Sequence, residues 1–280
     1  MAGKEERMKI RKDMSVWYDL LEVLRDLGAF TLAYSGGLDS RFLAHAARLA
    51  AVPVSLVHVR GPHVAPAESE YALAWAKSAG LSVNVLSLDP LGLQAVAAGT
   101  TERCYACKRL LFGHILAASE GPVCDGSNAS DVGKFRPGKR ALLEYGVRSP
   151  LAEAGLSKDM IRALARRTSL SRPDQQARAC LLTRLPYGRR PDARLLARLA
   201  EGERVVEEAL AAAGCEDLPF RLRFCDTNRH ELHLGREVHS IPLLGELERV
   251  LRATGFSCIS VLHMRDLSGY FDRTNAGPET

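Results

Sequence analysis

The chain has 280 residues, 46% apolar and 25% charged, with a formal net charge of +5, which excludes a wholly disordered, collagenous or coiled-coil protein. A chain of this length can bury roughly three quarters of its unfolded surface in one core, so its seven cysteines, an odd number, are expected to be reduced thiols in a cytoplasm, not a disulfide framework. No apolar run approaches a membrane span, the charged start MAGKEERMKIRKDM lacks the apolar stretch of a secretory signal, and the mild positive excess suits an enzyme of anionic small molecules without calling for nucleic acid.

Residues 1–14 read as a solvated tail, and Val16–Leu27 as an amphipathic helix with Leu20, Leu21, Leu24 and Leu27 at helical spacing. Strands and helices then alternate: strand Ala29–Tyr34, helix Ser40–Ala51, strand Val54–Val59, helix Ala67–Ala79, strand Leu81–Leu88, helix Tyr105–Ala118 and strand Pro122–Asp125. This order predicts parallel βαβ units, with ligands at the carboxyl ends of the strands. Residues 126–150, rich in Gly, Pro, Lys and Arg, read as an ordered loop region. Lys158–Arg167 reads as a short helix, Ser169–Arg190 as a polar stretch with two prolines and one cysteine, and Asp192–Ala213 as a long helix. The remainder reads as strands Phe220–Phe224 and His230–Leu234, helix Leu243–Thr254 and strand Phe256–His263. The expected architecture is α/β: a tail and helix (1–28), a parallel-sheet nucleotide domain with a cysteine-bearing loop (29–190), and a helix plus small α+β domain for substrate or oligomerisation (191–280).

Tyr34-Ser35-Gly36-Gly37-Leu38-Asp39-Ser40 stands where the first strand hands over to its helix. Open N–H groups at a helix start favour phosphate, two glycines let backbone approach an anion, and Ser35 and Ser40 add hydroxyls. Asp39 would repel a bare pyrophosphate and makes sense with Mg²⁺. A capped Gly-Gly turn is the competing account. Walker A and GxGxxG patterns are absent. The heptad resembles the SGGxDS loop of the PP-loop ATP pyrophosphatases, which cleave ATP between the α and β phosphates and activate an oxygen of the substrate with AMP.

Four further segments narrow the resemblance: Arg103-Cys104-Tyr105-Ala106-Cys107-Lys108; Asp125-Gly126-Ser127-Asn128-Ala129-Ser130-Asp131; Arg136-Pro137-Gly138 with Arg148-Ser149-Pro150-Leu151; and Ala179-Cys180-Leu181-Leu182-Thr183-Arg184-Leu185-Pro186-Tyr187-Gly188. In this order the chain is similar, from about Phe30 to Gly188, to the LarE-type sulfur transferases, the pyridinium-3,5-biscarboxylic acid mononucleotide sulfurtransferases. It remains similar, more weakly, through Arg221-Leu222-Arg223, Arg229-His230-Glu231 and Asp266-Leu267-Ser268-Gly269-Tyr270. The resemblance implies adenylylation of a substrate carboxylate, conversion to a thiocarboxylate in nickel-pincer nucleotide biosynthesis, and a homo-oligomer, by family a hexamer.

ATP is then expected on Ser35, Gly36, Gly37, Leu38, Asp39 and Ser40, with Val59 and Gly126 at the strand ends beside adenine and ribose. Lys108 steadies a phosphate or is a solvated helix lysine. Asp131 joins Asp39 on Mg²⁺ or makes an Asx turn. Arg221 and Arg223 share one face of a strand and can clamp a substrate phosphate, or else protect a sheet edge. The resemblance adds Arg184 and Glu231 to the substrate site.

Cys180, with Arg178 and Arg184 nearby, is the expected thiolate. In the resembling family this position bears the transferred sulfur, either sacrificially, leaving dehydroalanine, or on a 4Fe-4S cluster held by three cysteines, here Cys104, Cys107 and Cys180. The two matched extra cysteines favour the cluster. A zinc site is weakened by the lack of a second ligand pair. Cys124 reads as core. Competing functions are a tRNA thiolase of the same superfamily and a nucleotide-binding assembly protein without turnover.

Overall fold

Short apolar segments separated by helices build a parallel sheet, as the alternation predicts. Residues 2–131, 137–227 and 229–275 are described in a computed structural model, residues 2–13 and 275 by their backbone alone. Arg136 of the Arg136-Pro137-Gly138 segment lies outside the described residues. The chain divides into two compact units: Met1–Arg60, Glu68–Leu88 and Cys104–Ala177 form the first, and Gly61–Ala67, Asp89–Arg103 and Arg178–Thr280 the second.

The elements in chain order are α1 (Ala2–Leu27), β1 (Phe30–Ala33), α2 (Leu38–Leu49), β2 (Val54–Arg60), α3 (Pro66–Ser78), β3 (Val83–Ser87), α4 (Gln94–Ala97), α5 (Arg103–Ala117), β4 (Val123–Cys124), α6 (Gly138–Glu144), α7 (Pro150–Glu153) and α8 (Lys158–Arg167). There follow α9 (Ala193–Ala212), β5 (Phe220–Asp226), β6 (Arg229–Leu234), α10 (Ile241–Ala253), β7 (Ile259–His263) and α11 (Tyr270–Asn275). Helix α1 runs back to Ala2, through the segment read as a tail. Its Lys, Glu, Arg and Met residues are good helix formers, and charge alone does not fray a helix.

In the first unit four strands lie in the order β3-β2-β1-β4, all parallel. Register pairs Phe30 with Val54 and Leu32 with Leu56 on one face, and Thr31 with Ser55 and Ala33 with Val57 on the other. The first face packs Phe30, Leu32 and Leu56 with Leu20 and Leu24 of α1 and Phe42 and Leu43 of α2. The second packs Val57 and Val123 with Phe112 and Ile115 of α5 and Leu142 of α6. Both faces are covered, which is why these strands read as near-continuous apolar runs.

The second unit holds a three-stranded sheet in the order β5-β6-β7, antiparallel then parallel. Its two longer helices start on side-chain caps: Asp192 accepts from Leu195 N–H at 2.9 Å at α9 and Ser240 from Leu243 N–H at 3.4 Å at α10. Among the described residues no helix is long and apolar enough to cross a membrane.

Candidate functional site

The phosphate loop forms at the carboxyl end of β1, where a parallel sheet presents helix starts to ligand. Gly36 has φ +78°, and a Cβ there would stand 2.4 Å from Ala72 Cβ of α3. The loop is laced internally: the Ser35 and Ser40 hydroxyls are 3.1 Å apart, Ser40 Oγ donates to Gly37 O at 3.1 Å, and Gly37 N–H donates to Ser35 Oγ at 3.3 Å. Leu38 is buried and anchors the first turn of α2. Gly126, just beyond β4, runs against this backbone, since a Cβ there would meet Ser40 N at 3.0 Å. The two glycines let the turn pack against α3 and let the chain after β4 pass close to the start of α2.

Two buried groups hold the loop in place. His58, at the end of β2, has Nδ1 at 2.9 Å from Tyr34 O and Nε2 at 2.9 Å from Ser69 Oγ. A carbonyl only accepts, so Nδ1 carries the hydrogen. Burial holds this imidazole below its ordinary pKa. Arg41, fully buried, donates Nε to Gly36 O (3.2 Å), Nη1 to Ser171 O (2.7 Å), Nη2 to Arg172 O (3.2 Å), and both Nε and Nη2 to Gln175 Oε1. Its guanidinium also stands 5.4 Å from the Tyr71 ring centroid and 5.6 Å from that of Trp75. Arg41 thereby joins the glycine turn to the segment from Ser171 to Gln175.

Asp39 is paired. Its Oδ1 is 2.6 Å from Lys158 Nζ, at the start of α8, and its Oδ2 is 3.4 Å from Asn128 Nδ2. Asp125 accepts from Ser127 N–H, Ser127 Oγ and Ser149 Oγ. Asp131 Oδ2 accepts from Asn128 N–H at 3.3 Å, a turn contact of the Asx kind. Val59 is a half-buried β2 residue packed on the α5 side of the sheet. Lys108 stacks its ammonium 5.8 Å from the Phe112 ring, with its stem against Gly138. Cys104 and Cys107 sit one turn apart on α5, Cys107 buried. Cys124 is core, its thiol pushed up to about 12 by burial.

The second unit carries Cys180, half-buried at the entry to a 3₁₀ turn, Leu181–Arg184. The loop around it is irregular, yet its backbone is held throughout. Leu181 N–H donates to His63 O at 2.9 Å, Thr183 Oγ1 to Cys180 O at 2.8 Å, and Gly188 N–H to Gly99 O at 2.9 Å. Arg103 donates to Leu185 O (2.9 Å) and Pro186 O (3.2 Å) and lies over the Tyr187 ring. Arg184 makes a two-pronged contact with Glu203 (2.8 and 3.0 Å), the side chains only 1% and 6% exposed, and Glu203 also accepts from Leu222 N–H. Burial alone would raise the Glu203 carboxyl, but the Arg184 charge and hydrogen bonds outweigh it and hold the group ionised. Arg178 pairs with Glu207 at 2.6 Å. Both guanidiniums next to Cys180 in sequence are thus bound to glutamates.

Arg221 and Arg223 share one face of β5, opposite His233 and Glu231 of β6. Arg223 donates Nη1 to Thr183 O (3.0 Å), Nη2 to Leu267 O, and Nε to His233 Nδ1 (3.1 Å). His233 Nε2 therefore carries the hydrogen and donates to Glu231 Oε2 at 2.7 Å, which Tyr270 OH also reaches at 3.1 Å. Arg221 is buried and donates to Phe220 O. Burial lowers the Arg221 guanidinium to about 9 and Arg223 to about 10, so both remain charged at neutral pH.

The expected cluster thiols are divided, Cys104 and Cys107 in the first unit and Cys180 in the second. Among the described residues no three His, Cys, Asp or Glu side chains are grouped to hold a metal ion. Sequence reasoning gave no role to Arg41, Asn128 and Lys158 at the loop after β1, or to Arg103 and Glu203 at the thiol loop. Their long-range partners lie 19 to 134 residues away, beyond any local pattern.

No family model matches the chain. It is 33% identical over 191 residues to an uncharacterized protein of Synechocystis, covering 66% of this chain and 71% of that one. It is 29% identical over 258 residues to the pyridinium-3,5-bisthiocarboxylic acid mononucleotide synthase of Lactiplantibacillus plantarum, covering 90% of each. An uncharacterized protein of Methanocaldococcus jannaschii is 28% identical over 187 residues, 65% of this chain and 71% of that protein.

Proposed function

Since the chain belongs to the LarE-type family of PP-loop sulfur transferases, we propose that it adenylylates a carboxylate of a pyridinium mononucleotide with ATP and converts it to a thiocarboxylate, a step in nickel-pincer nucleotide biosynthesis. The observation that carries this reading is the loop after β1, where Ser35, Gly36 and Gly37 lead into Asp39 and Ser40 in the first turn of α2, a helix start with no side-chain cap whose N–H groups favour an anion. A carboxylate is a poor electrophile, and AMP makes it a good one. The substrate oxygen attacks the α-phosphorus, the bond to the β-phosphate oxygen breaks, and pyrophosphate leaves with the electron pair. Asp39 would hold Mg²⁺, since a carboxylate suits this hard cation, and the ion would supply charge to offset the phosphates. Cys180 Sγ, as thiolate, attacks the acyl carbon and AMP departs.

Loss of the Cys180 α-proton then breaks Cβ–Sγ, leaving thiocarboxylate on the substrate and dehydroalanine in the chain. Cys104 and Cys107 are the further thiols of the other supply, in which a cluster carries a removable sulfide. Arg221, Arg223 and Glu231 are the proposed acceptor-binding residues, with Arg184 supporting the thiol loop. The seven cysteines form no disulfide with one another, and the proposed place of work is a reducing cytoplasm. The test mixes the protein with MgATP and a pyridinium carboxylate mononucleotide. Pyrophosphate release and a product with sulfur in place of oxygen are expected. No release with any such acid overturns the reading, and release that requires tRNA assigns the chain to the thiolases.

A further inference from the structure

Arg41 is a fully buried cation whose hydrogen bonds end on Gly36 O, Ser171 O, Arg172 O and the side-chain amide oxygen of Gln175. None of these acceptors is a carboxylate. A second positive charge stands close by, since the Arg172 guanidinium lies 4.9 Å from the centroid of the Tyr71 ring that Arg41 also faces. Burying a charge is costly unless its donors find acceptors, and here those acceptors come from two stretches of chain far apart in sequence.

The first stretch is the Gly36–Gly37 peptide. A trans peptide is planar, so its C=O and N–H point opposite ways. The carbonyl faces Arg41, and the Gly37 N–H faces the serine hydroxyls of the turn, 3.3 Å from Ser35 Oγ. The second stretch is Ser171–Gln175. Arg172 has φ +50°, in the left-handed region that an arginine seldom occupies, and it precedes Pro173, which restricts it further. Its carbonyl is held there by two donors, Arg41 Nη2 at 3.2 Å and Gln175 N–H at 3.1 Å. After Gln175 come Gln176 and Ala177, then Arg178, which pairs with Glu207, and then the loop of Cys180.

An anion drawn to the Gly37 N–H polarises the peptide that it binds. Hydrogen bonds in series strengthen one another in low-dielectric surroundings. Gly36 O therefore becomes a better acceptor for Arg41 when phosphate lies on the other side of the peptide, and negative charge near Arg41 offsets the cost of burying it. The guanidinium is a rigid plane, so a firmer hold on Gly36 O is a firmer hold on Ser171 O and Arg172 O.

We propose that Arg41 is a positioning residue that couples the two loops: a nucleotide phosphate at the glycine turn tightens Arg41 on Ser171–Gln175 and so steadies the chain that runs on to Cys180. The inference rests on the reading of the turn as an ATP site and adds an order of events to it. The segment leading to the thiol is set once the nucleotide that activates the acceptor is bound. Arg41 acts through the Gly36–Gly37 peptide and makes no contact with ATP.

The test is amide hydrogen exchange of the full chain, read by mass spectrometry over residues 169–184 with and without saturating MgATP. Wild type, Arg41→Met and Gln175→Met are compared, and calorimetry gives the MgATP affinity of each so that saturation is equal. MgATP should slow exchange over 169–177 in wild type by at least about fivefold, the lower end of common coupling between sites. Saturated Arg41→Met should show less than about twofold slowing, because the link is cut while the turn still binds. Gln175→Met leaves Arg41 its three carbonyls and should show an intermediate effect, which keeps the test open if Arg41→Met folds poorly. Full slowing in either saturated variant overturns the inference, as does a saturated wild type with no slowing. A wild type that binds no MgATP in the calorimeter defeats the ATP-site reading itself, and the inference falls with it.

Discussion

Gly36 should resist replacement by alanine for two separable reasons, and a second glycine isolates one of them. At φ +78° an L-residue is strained by roughly 1–2 kcal/mol. In addition, the new Cβ would stand 2.4 Å from Ala72 Cβ and 2.9 Å from Ala72 Cα on α3, inside the ~3.5 Å of carbon contact. The backbone of a packed helix is not the free end of a side chain, so either the loop or α3 must shift, at a cost of about 1–3 kcal/mol. The sum for Gly36→Ala is about 2–5 kcal/mol. Gly80 has a similar φ, +69°, but a Cβ there meets nothing within 4 Å. Gly80→Ala should therefore cost only the conformational strain, roughly 1–2 kcal/mol.

Thermal unfolding measures the difference, at about 2–4 °C per kcal/mol for a domain of this size. Isothermal titration with MgATP measures its consequence, because the shift moves the loop proposed to receive phosphate. Gly36→Ala should lose ATP affinity even at temperatures where it remains folded, and Gly80→Ala should keep it. If both variants unfold at the same temperature and bind ATP equally, the close approach to α3 is not what requires glycine at position 36.

Glu203→Gln leaves Arg184 charged and buried without a counter-ion, and should cost about 3–5 kcal/mol in urea unfolding; a cost under about 1 kcal/mol would mean water reaches the pair. Cys180→Ala should release pyrophosphate from ATP and acid but yield no thiocarboxylate, read by mass spectrometry of the acceptor; Cys104→Ala should stay active for one turnover if sulfur comes from Cys180 itself and be inactive if a cluster supplies it. Arg221→Ala should raise KM for the nucleotide acceptor while leaving ATP binding unchanged, and an unchanged KM would remove Arg221 from the acceptor site. Burial holds His58, His63 and His233 below the ordinary imidazole value, so the unfolded chain takes up protons first as pH falls. Their contribution to stability is full above about pH 6.5 and is lost as pH falls from there toward the folded values, at up to roughly 1.4 kcal/mol per pH unit for each. Urea midpoints at pH 7.5 and 5.5 check this, and equal midpoints would refute it.

The parallel sheet was legible because its strands are covered on both faces and so stand out as apolar runs between helices. The glycine turn between β1 and α2 was legible because paired glycines between an apolar run and a helical pattern mark a strand-to-helix junction. Helix α8 was expected over the same residues, Lys158–Arg167, that it occupies. Most other boundaries moved by a residue or two, but α1 begins at Ala2 and not Val16 and β7 at Ile259 and not Phe256, and the short helices α4, α6, α7 and α11 lay unrecognised, α6 in a stretch whose glycines, prolines and charges read as loop. What periodicity could not carry is the pairing of charged side chains across the fold. Lys158 begins its helix like any solvated lysine, and only the folded chain brings it to Asp39, 119 residues earlier. Arg41 sits beside the loop in sequence, but its acceptors at Ser171, Arg172 and Gln175 lie 130 to 134 residues on. Such pairs are fixed by tertiary packing, and no local pattern encodes them.

The two loops reach rigidity by different means, suited to what each must hold. The loop after β1 is fixed by close backbone packing, so side chains are removed where chain meets chain, at Gly36 against α3 and at Gly126 against the start of α2. The thiol loop needs one side chain held at a defined place in irregular chain, and irregular chain leaves carbonyls that must find donors when buried. Guanidiniums supply them: Arg184 serves Cys180 O, Arg223 serves Thr183 O, and Arg103 serves Leu185 O and Pro186 O. Each guanidinium offers several donors in a fixed plane, so one side chain ties several segments and constrains their geometry. Burying that much positive charge is costly, and Glu203, ionised against Arg184, offsets part of it directly. A nucleophile must come within about 3–3.5 Å of the acyl carbon along a defined line. A loop whose carbonyls are held at four positions around Cys180 loses little further freedom when that approach is made, which is a physical reason to build a thiol site from arginines.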